Sequence, residues 1–251
     1  MIAVAVCASV LGGGSGVRAA ENLRLEVIAR HPHETDRTVN GLFWHKGMLY
    51  ESAVLQGFPS EFRMVDPASG GVIQVVEVPD PLVGAGVTEA NGVFVQATVK
   101  DGIGLLYDPD TLRRTRQIGY GGEVWGMTFD GKNLVTSDGS ATLTFRDPAT
   151  LAAVTTRTVM LLDNPHDYLN ELEYVDGTLY ANVRGQDRIL RIDPGTGEVT
   201  GLISAAGLMT PEERAGAGML NGIAHDPARG VFLVTGSRWP WVFEVRIVPA
   251  P

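Results

Sequence analysis

The chain has 251 residues, 44% of them apolar and 20% charged, with 31 glycines and 29 acidic against 20 basic side chains for a net charge of −9. That apolar content excludes a disordered chain, and glycine without a three-residue period excludes collagen. The acidic balance lacks the footprint of a nucleic-acid binder, and no apolar run is long enough to span a bilayer as a helix. One acidic domain is expected, with neither nucleic acid nor membrane as partner.

Residues 1–20 read as a leader. Met1–Leu11 is apolar and small, a Gly/Ser stretch follows, and Val17-Arg18-Ala19-Ala20 offers a small-residue cleavage site. A basic n-region is absent, and a disordered tail is the alternative. The only cysteine, Cys7, falls inside this segment. The remainder would carry no thiol, disulfide or Cys metal site, and its expected location is secreted or periplasmic.

Leu23–Ala29 alternates as a first strand. Five times thereafter an apolar strand enters a Gly-containing turn and a second apolar strand leaves it. The turn glycines are Gly47, Gly92, Gly131, Gly177 and Gly230, about 40–50 residues apart. Asn-Gly and Asp-Gly pairs suit two-residue hairpins, which need φ > 0. Four units carry a later break at Asp66-Pro67, Asp108-Pro109, Asp147-Pro148 and Asp193-Pro194. Each unit therefore reads as four strands. Ser204–Met219 is an insertion whose Thr210-Pro211-Glu212-Glu213 has the form of a helix start. Trp241–Ile247 alternates as a last strand. Four-stranded units of this length are propeller blades, so the expected fold is an all-β, five-bladed β-propeller. It forms a single monomeric domain over residues 21–251, closed by pairing the N-terminal strand with the C-terminal blade. A β-sandwich fits the five-fold phasing poorly.

In a propeller the first strand of each blade lines the channel, and the loops at one rim form the usual site. Repeat phasing puts Asn40, Ala85, Trp125, Asn170 and Asn221 at that rim. A second set falls where each second strand turns back, and it includes Val99, Arg184 and Ser237. Asn before Gly also suits a tight strand start. Three amides and a Trp at one mouth otherwise suit a pocket for an amide-bearing ligand.

The residues also carry a resemblance. Leu49-Tyr50-Glu51-Ser52, Tyr107-Asp108-Pro109, Trp125-Gly126-Met127-Thr128, Leu169-Asn170-Glu171-Leu172-Glu173-Tyr174 and Leu220-Asn221-Gly222-Ile223 are similar to stretches of the plant- and bacterial-type glutaminyl-peptide cyclotransferases. That family is five-bladed and converts N-terminal glutamine to pyroglutamate with release of ammonia. The resemblance implies a substrate that is a small molecule or a peptide N-terminus, and substrate-binding roles for Asn40, Trp125, Asn170, Arg184, Asn221 and Ser237. Asn170 is in addition expected to take part in catalysis. It further implies that Ala85 stands where the family has its acid–base Glu, Asn40 where it has Gln, Val99 and Arg184 where it has Trp, and Ser237 where it has Lys. Glu123, Asn221 and Trp239 match as framework. Loss of an acid–base group typically costs 10²–10⁴ in rate. Two readings follow: cyclisation or acyl transfer on an altered substrate, or a propeller that binds a ligand or partner without catalysis.

No metal or other cofactor is expected. His31, His33, His45, His166 and His225 form no HExxH motif, and His31 and His33 flank Pro32 in a connection. A channel cation held by carbonyls would leave no sequence signature. A replacement acid–base group is expected in His166, beside Asp167 and near Asn170 in sequence, with Asp163 or Glu89 as its partner. A solvated polar loop is the plainer alternative for that segment.

Overall fold

The computed structural model describes residues 19–55 and 59–251. Most of the expected leader, Cys7 included, lies outside the described residues. The described residues are all-β apart from one short helix. Strand β1 (Glu21–Pro32) precedes a first sheet of β2 (Arg37–His45), β3 (Met48–Leu55), β4 (Ser60–Val65) and β5 (Val72–Glu77). A second comprises β6 (Gly84–Ala90), β7 (Val93–Thr98), β8 (Ile103–Tyr107) and β9 (Arg114–Gly119). The third is β10 (Met127–Phe129), β11 (Leu134–Thr136), β12 (Thr142–Arg146) and β13 (Ala153–Thr158). A small hairpin, β14 (Met160–Leu161) and β15 (Asn164–Pro165), leads to β16 (Leu169–Val175), β17 (Thr178–Val183), β18 (Arg188–Ile192) and β19 (Val199–Ser204). Helix α1 (Pro211–Gly216) then precedes β20 (Leu220–Asp226), β21 (Val231–Gly236) and β22 (Trp241–Pro249). This architecture is consistent with a β-propeller.

Turn chemistry explains the regularity. Lys46-Gly47, Asn91-Gly92 and Asp176-Gly177 each place both residues at positive φ, the geometry of a two-residue hairpin matched to strand twist. At the Asp-Pro breaks, the carboxylates of Asp66, Asp108, Asp147 and Asp193 accept the N–H two residues on, at 2.9, 3.1, 3.0 and 2.7 Å. In two of these turns a leucine, Leu112 or Leu151, occupies the left-handed region (φ 54° and 60°). Each buries its side chain completely, and that burial offsets the backbone cost.

β1 joins the two ends of the chain. It runs antiparallel to β22, with Leu25 opposite Ile247 and a bulge between Val27 and Ala29, and parallel to β19 at its start, with Glu21 opposite Gly201. The fourth and fifth units thus merge into one eight-stranded sheet, a parallel contact the alternation pattern does not reveal. The first strands of the units pack side by side: β2 touches β20 and β6, β10 touches β6 and β16, and β16 touches β20. Between them and the outer strands lies an apolar core, in which Phe43, Tyr50, Phe62, Phe94 and Tyr107 cluster where the first two sheets meet.

α1 starts as its sequence implies. The Thr210 hydroxyl accepts the Glu213 N–H while the Glu213 carboxylate accepts that of Thr210. Glu213 also accepts from Trp241 Nε1 at 2.7 Å and pairs with Arg30. This fastens the insertion to β22 and β1.

Candidate active site

A backbone irregularity recurs at the start of the inner strands. The ladder slips between Val39 and Gly41, Gly84 and Val87, Leu169 and Leu172, and Leu220 and Ile223. These are β-bulges, which free one residue from pairing and re-aim its side chain. The first residues out of register are Asn40, Ala85, Asn170 and Asn221, the last three each followed by a second. In the third unit Trp125 stands just ahead of β10, its N–H bonded to Ser137 O. The five positions line one cavity of about 210 Å³, together with Thr38, Val99, Glu123, Arg184, Met219 and Ser237. All six residues expected to bind substrate are therefore brought together. Thr38 and Met219 had no signal in the repeat phasing.

Hydrogen bonds orient the amides. Asn221 Nδ2 donates to the Val39 carbonyl at 2.6 Å, so its Oδ1 is turned to Asn170 and accepts from Asn170 Nδ2 at 2.8 Å. Asn40 Nδ2 donates to Gly84 O at 2.9 Å. Backbone carbonyls only accept, which leaves no choice of amide direction. Asn40 and Asn170 thus retain Oδ1 as an acceptor without a hydrogen-bond partner among the described residues. The buried Ser237 hydroxyl also lacks a partner there.

Trp125 is held on edge and face. Its Nε1 donates to Glu123 Oε1 at 2.7 Å, and the Arg184 guanidinium stacks 4.8 Å from the ring centroid. The ring also covers Gly139 (φ +86°), where a Cβ would lie 2.4 Å from the indole. Ser137 locks the layer beneath, accepting from Gly126 N–H at 2.9 Å and donating to Asn170 O at 2.6 Å.

His166 is not among the lining residues. It follows the β14–β15 hairpin, which turns through positive φ at Leu162 and Asp163. There its N–H bonds Val159 O and its Nδ1 lies 3.0 Å from the Asp167 carbonyl. The other early histidines have structural partners. His33 Nδ1 donates to Trp239 O at 2.9 Å while Nε2 lies 3.4 Å from Glu51, and His31 Nε2 lies 3.3 Å from Glu244.

The glutamine cyclotransferase family profile matches residues 1–247. A glutaminyl-peptide cyclotransferase of Arabidopsis thaliana is 33% identical over 232 residues, which make up 90% of this chain and 72% of that protein. The chain belongs to the glutamine cyclotransferase family. The crystal structure of Myxococcus xanthus glutaminyl cyclase superposes with a TM-score of 0.83 and 32% identity, covering 92% of this chain and all of that one. Within this cyclotransferase fold the cavity offers two free amide oxygens, a free hydroxyl and an indole wall. Glu123 is the one carboxylate among its lining residues, and Ala85 contributes no titratable group.

Proposed function

We propose that this protein is a cyclase that closes a glutamine-type residue at a peptide N-terminus onto its own side chain, releasing ammonia, with an acid–base apparatus altered at position 85. One observation carries the reading: Asn40, Trp125, Asn170, Arg184, Asn221 and Ser237, singled out by repeat phasing, line a single cavity. The reading takes the five units as blades of a closed propeller, supported by the mutual contacts of the inner strands and by β1 pairing with β22. A monomer exported from the cytoplasm belongs to the same proposal.

In the reaction the α-amine attacks the side-chain carboxamide carbon. A C–N bond forms, the bond to the amide nitrogen breaks, and a proton passes from the attacking to the departing nitrogen. The free Oδ1 atoms of Asn40 and Asn170 accept the amine N–H groups and direct the lone pair. The Ser237 hydroxyl donates to the oxygen that becomes negative, where a prepositioned donor is most effective. Trp125 supplies the apolar wall. The proton transfer falls to Glu123, which lines the cavity where His166 does not.

The test is ammonia release from a Gln-initiated peptide. The wild type should turn over, Glu123→Gln should lower kcat by about 10²–10⁴, and His166→Ala should stay within a few-fold. Ala85→Glu should raise the rate. Absence of ammonia from the wild type overturns the activity. A hundredfold loss in His166→Ala with none in Glu123→Gln returns the proton shuttle to the 163–168 loop.

A further inference from the structure

The inner strands have a second end. Strand β2 carries Asn40 near its start and ends at His45, and β16 carries Asn170 near its start and ends at Val175, just before the turn at Asp176. At about 3.3 Å per residue the far ends lie on the order of 17 Å from the first cavity. Residues from all five units surround a larger space there, about 690 Å³, within the range of small-molecule sites.

The chemistry of this second cavity differs from that of the first. Its lining carries three carboxyl groups, Glu89, Glu173 and Asp176, and no Lys or Arg. One wall is aromatic: Phe232 lies 4.9 Å from both Tyr180 and His225, ring centroid to centroid. His45, also in the lining, has a fully buried Nε2 without a hydrogen-bond partner among the described residues. Burial lowers the pKa of both His45 and His225, so neither opposes a cation near neutrality. Burial also pushes Glu173 up to about 8, against the stabilising His225 N–H that its carboxylate accepts at 2.9 Å. A carboxyl in that position gains most from a cation settling beside it.

We propose that this second cavity binds an organic ammonium ion, its cationic head against Glu173 and Asp176 and its apolar body against Phe232 and Tyr180. Cation–π attraction and carboxylate pairing act together on such a ligand. A bare metal ion fits less well, because among the described residues no three His, Asp or Glu side chains gather as a metal cage would. The proposal stands apart from the cyclisation site, so either can fail alone.

Calorimetric titration with benzyltrimethylammonium at pH 8.5 is the experiment, with benzyl alcohol as the uncharged analogue. Saturable one-to-one binding of the cation, and none of the alcohol at the same concentration, is expected. Glu173→Gln keeps the acceptor for His225 N–H and should weaken binding about 10- to 100-fold, the range of a contact to a charged group. Asp176→Asn suits its left-handed turn position (φ 47°), so it retains the fold and should weaken binding as well. Trp125→Ala, at the opposite mouth, should leave affinity unchanged. No saturable binding, equal binding of the alcohol, undiminished affinity in both carboxyl variants, or loss in Trp125→Ala would each overturn the assignment.

Discussion

Ser137 does not line the first cavity, yet it braces the backbone beneath it. Its hydroxyl joins Gly126 N–H to the Asn170 backbone carbonyl, and so places the Asn170 side chain that donates to Asn221. Ser137→Ala leaves a buried donor and a buried acceptor unsatisfied, each costing about 1–3 kcal/mol. A lower urea midpoint is expected, with a raised KM for a Gln-initiated peptide. Unchanged KM alongside lowered stability would show that Asn170 holds its place without Ser137. Gly139 is the second such position. Both its φ of +86° and the indole above it exclude a side chain, so Gly139→Ala should displace Trp125 and change its fluorescence.

At the scale of the element, β16 departs from the other inner strands. Gly41, Gly86, Gly126 and Gly222 follow the site residues of the first, second, third and fifth units, and Glu171 follows that of the fourth. At Gly126 an added Cβ would meet Asn170 O at 2.1 Å, so close approach of neighbouring strands demands glycine there. Glu171 is fully buried, with Oε1 accepting from Leu172 N–H and Oε2 unpartnered among the described residues. Burial raises its pKa well above the usual carboxylate range, and Glu173, two residues on, is raised to about 8. A carboxyl with a raised folded-state pKa binds its proton more tightly in the native than in the unfolded chain. Stability is therefore lost as pH climbs above about 4.5, through about 8 for Glu173 and through the raised pKa of Glu171. Urea unfolding at pH 5 and pH 8 should show a smaller pH difference for Glu171→Gln than for the wild type. An identical difference would mean that this carboxyl does not titrate with folding.

At the scale of the molecule, one buried ionic cluster fastens the N-terminal connection to the first and last sheets. His33 donates from Nδ1 to Trp239 O, so Nε2 must be protonated to face Glu51, which also lies 3.7 Å from Arg63. Burial opposes the charge on His33, but Glu51 outweighs it and raises the imidazole pKa. Burial likewise works against charge on Glu51, yet His33 and Arg63 bring its pKa below the ordinary value. The His33 contribution is complete below pH 6.5 and fades above its raised pKa, and that of Glu51 is complete above pH 4.5 and fades below its lowered one. The cluster supports the fold most between those limits. Glu51→Gln leaves the buried His33 imidazolium without its carboxylate, while Arg63 keeps Glu34 at 2.9 Å, and should cost about 3–5 kcal/mol, read as a fall in Tm at pH 6. A loss that is no greater at pH 6 than at pH 9 would contradict the pairing.

Strands, hairpin turns, the capped helix and the rim positions were legible in the sequence because each is written in local chemistry. A Gly or Asp admits a particular turn, alternation marks a half-buried strand, and Thr-x-x-Glu caps a helix. Repetition of that local code also picked out Asn40, Trp125, Asn170 and Asn221, since equivalent positions in equivalent units share a rim. The family, too, could be read from motifs spread along the chain. Tertiary structure alone decided which way the amides face, because a carbonyl from a neighbouring unit sets each one. It alone brought Thr38 and Met219 to the cavity, turned Glu123 against Trp125, and left His166 out of the lining, after a hairpin whose two-residue strands are too short to show a period. The parallel contact of β1 with β19 and the acidic, aromatic far end of the inner strands are of the same kind. Both arise where residues from distant units meet, and no local pattern encodes a meeting of that sort.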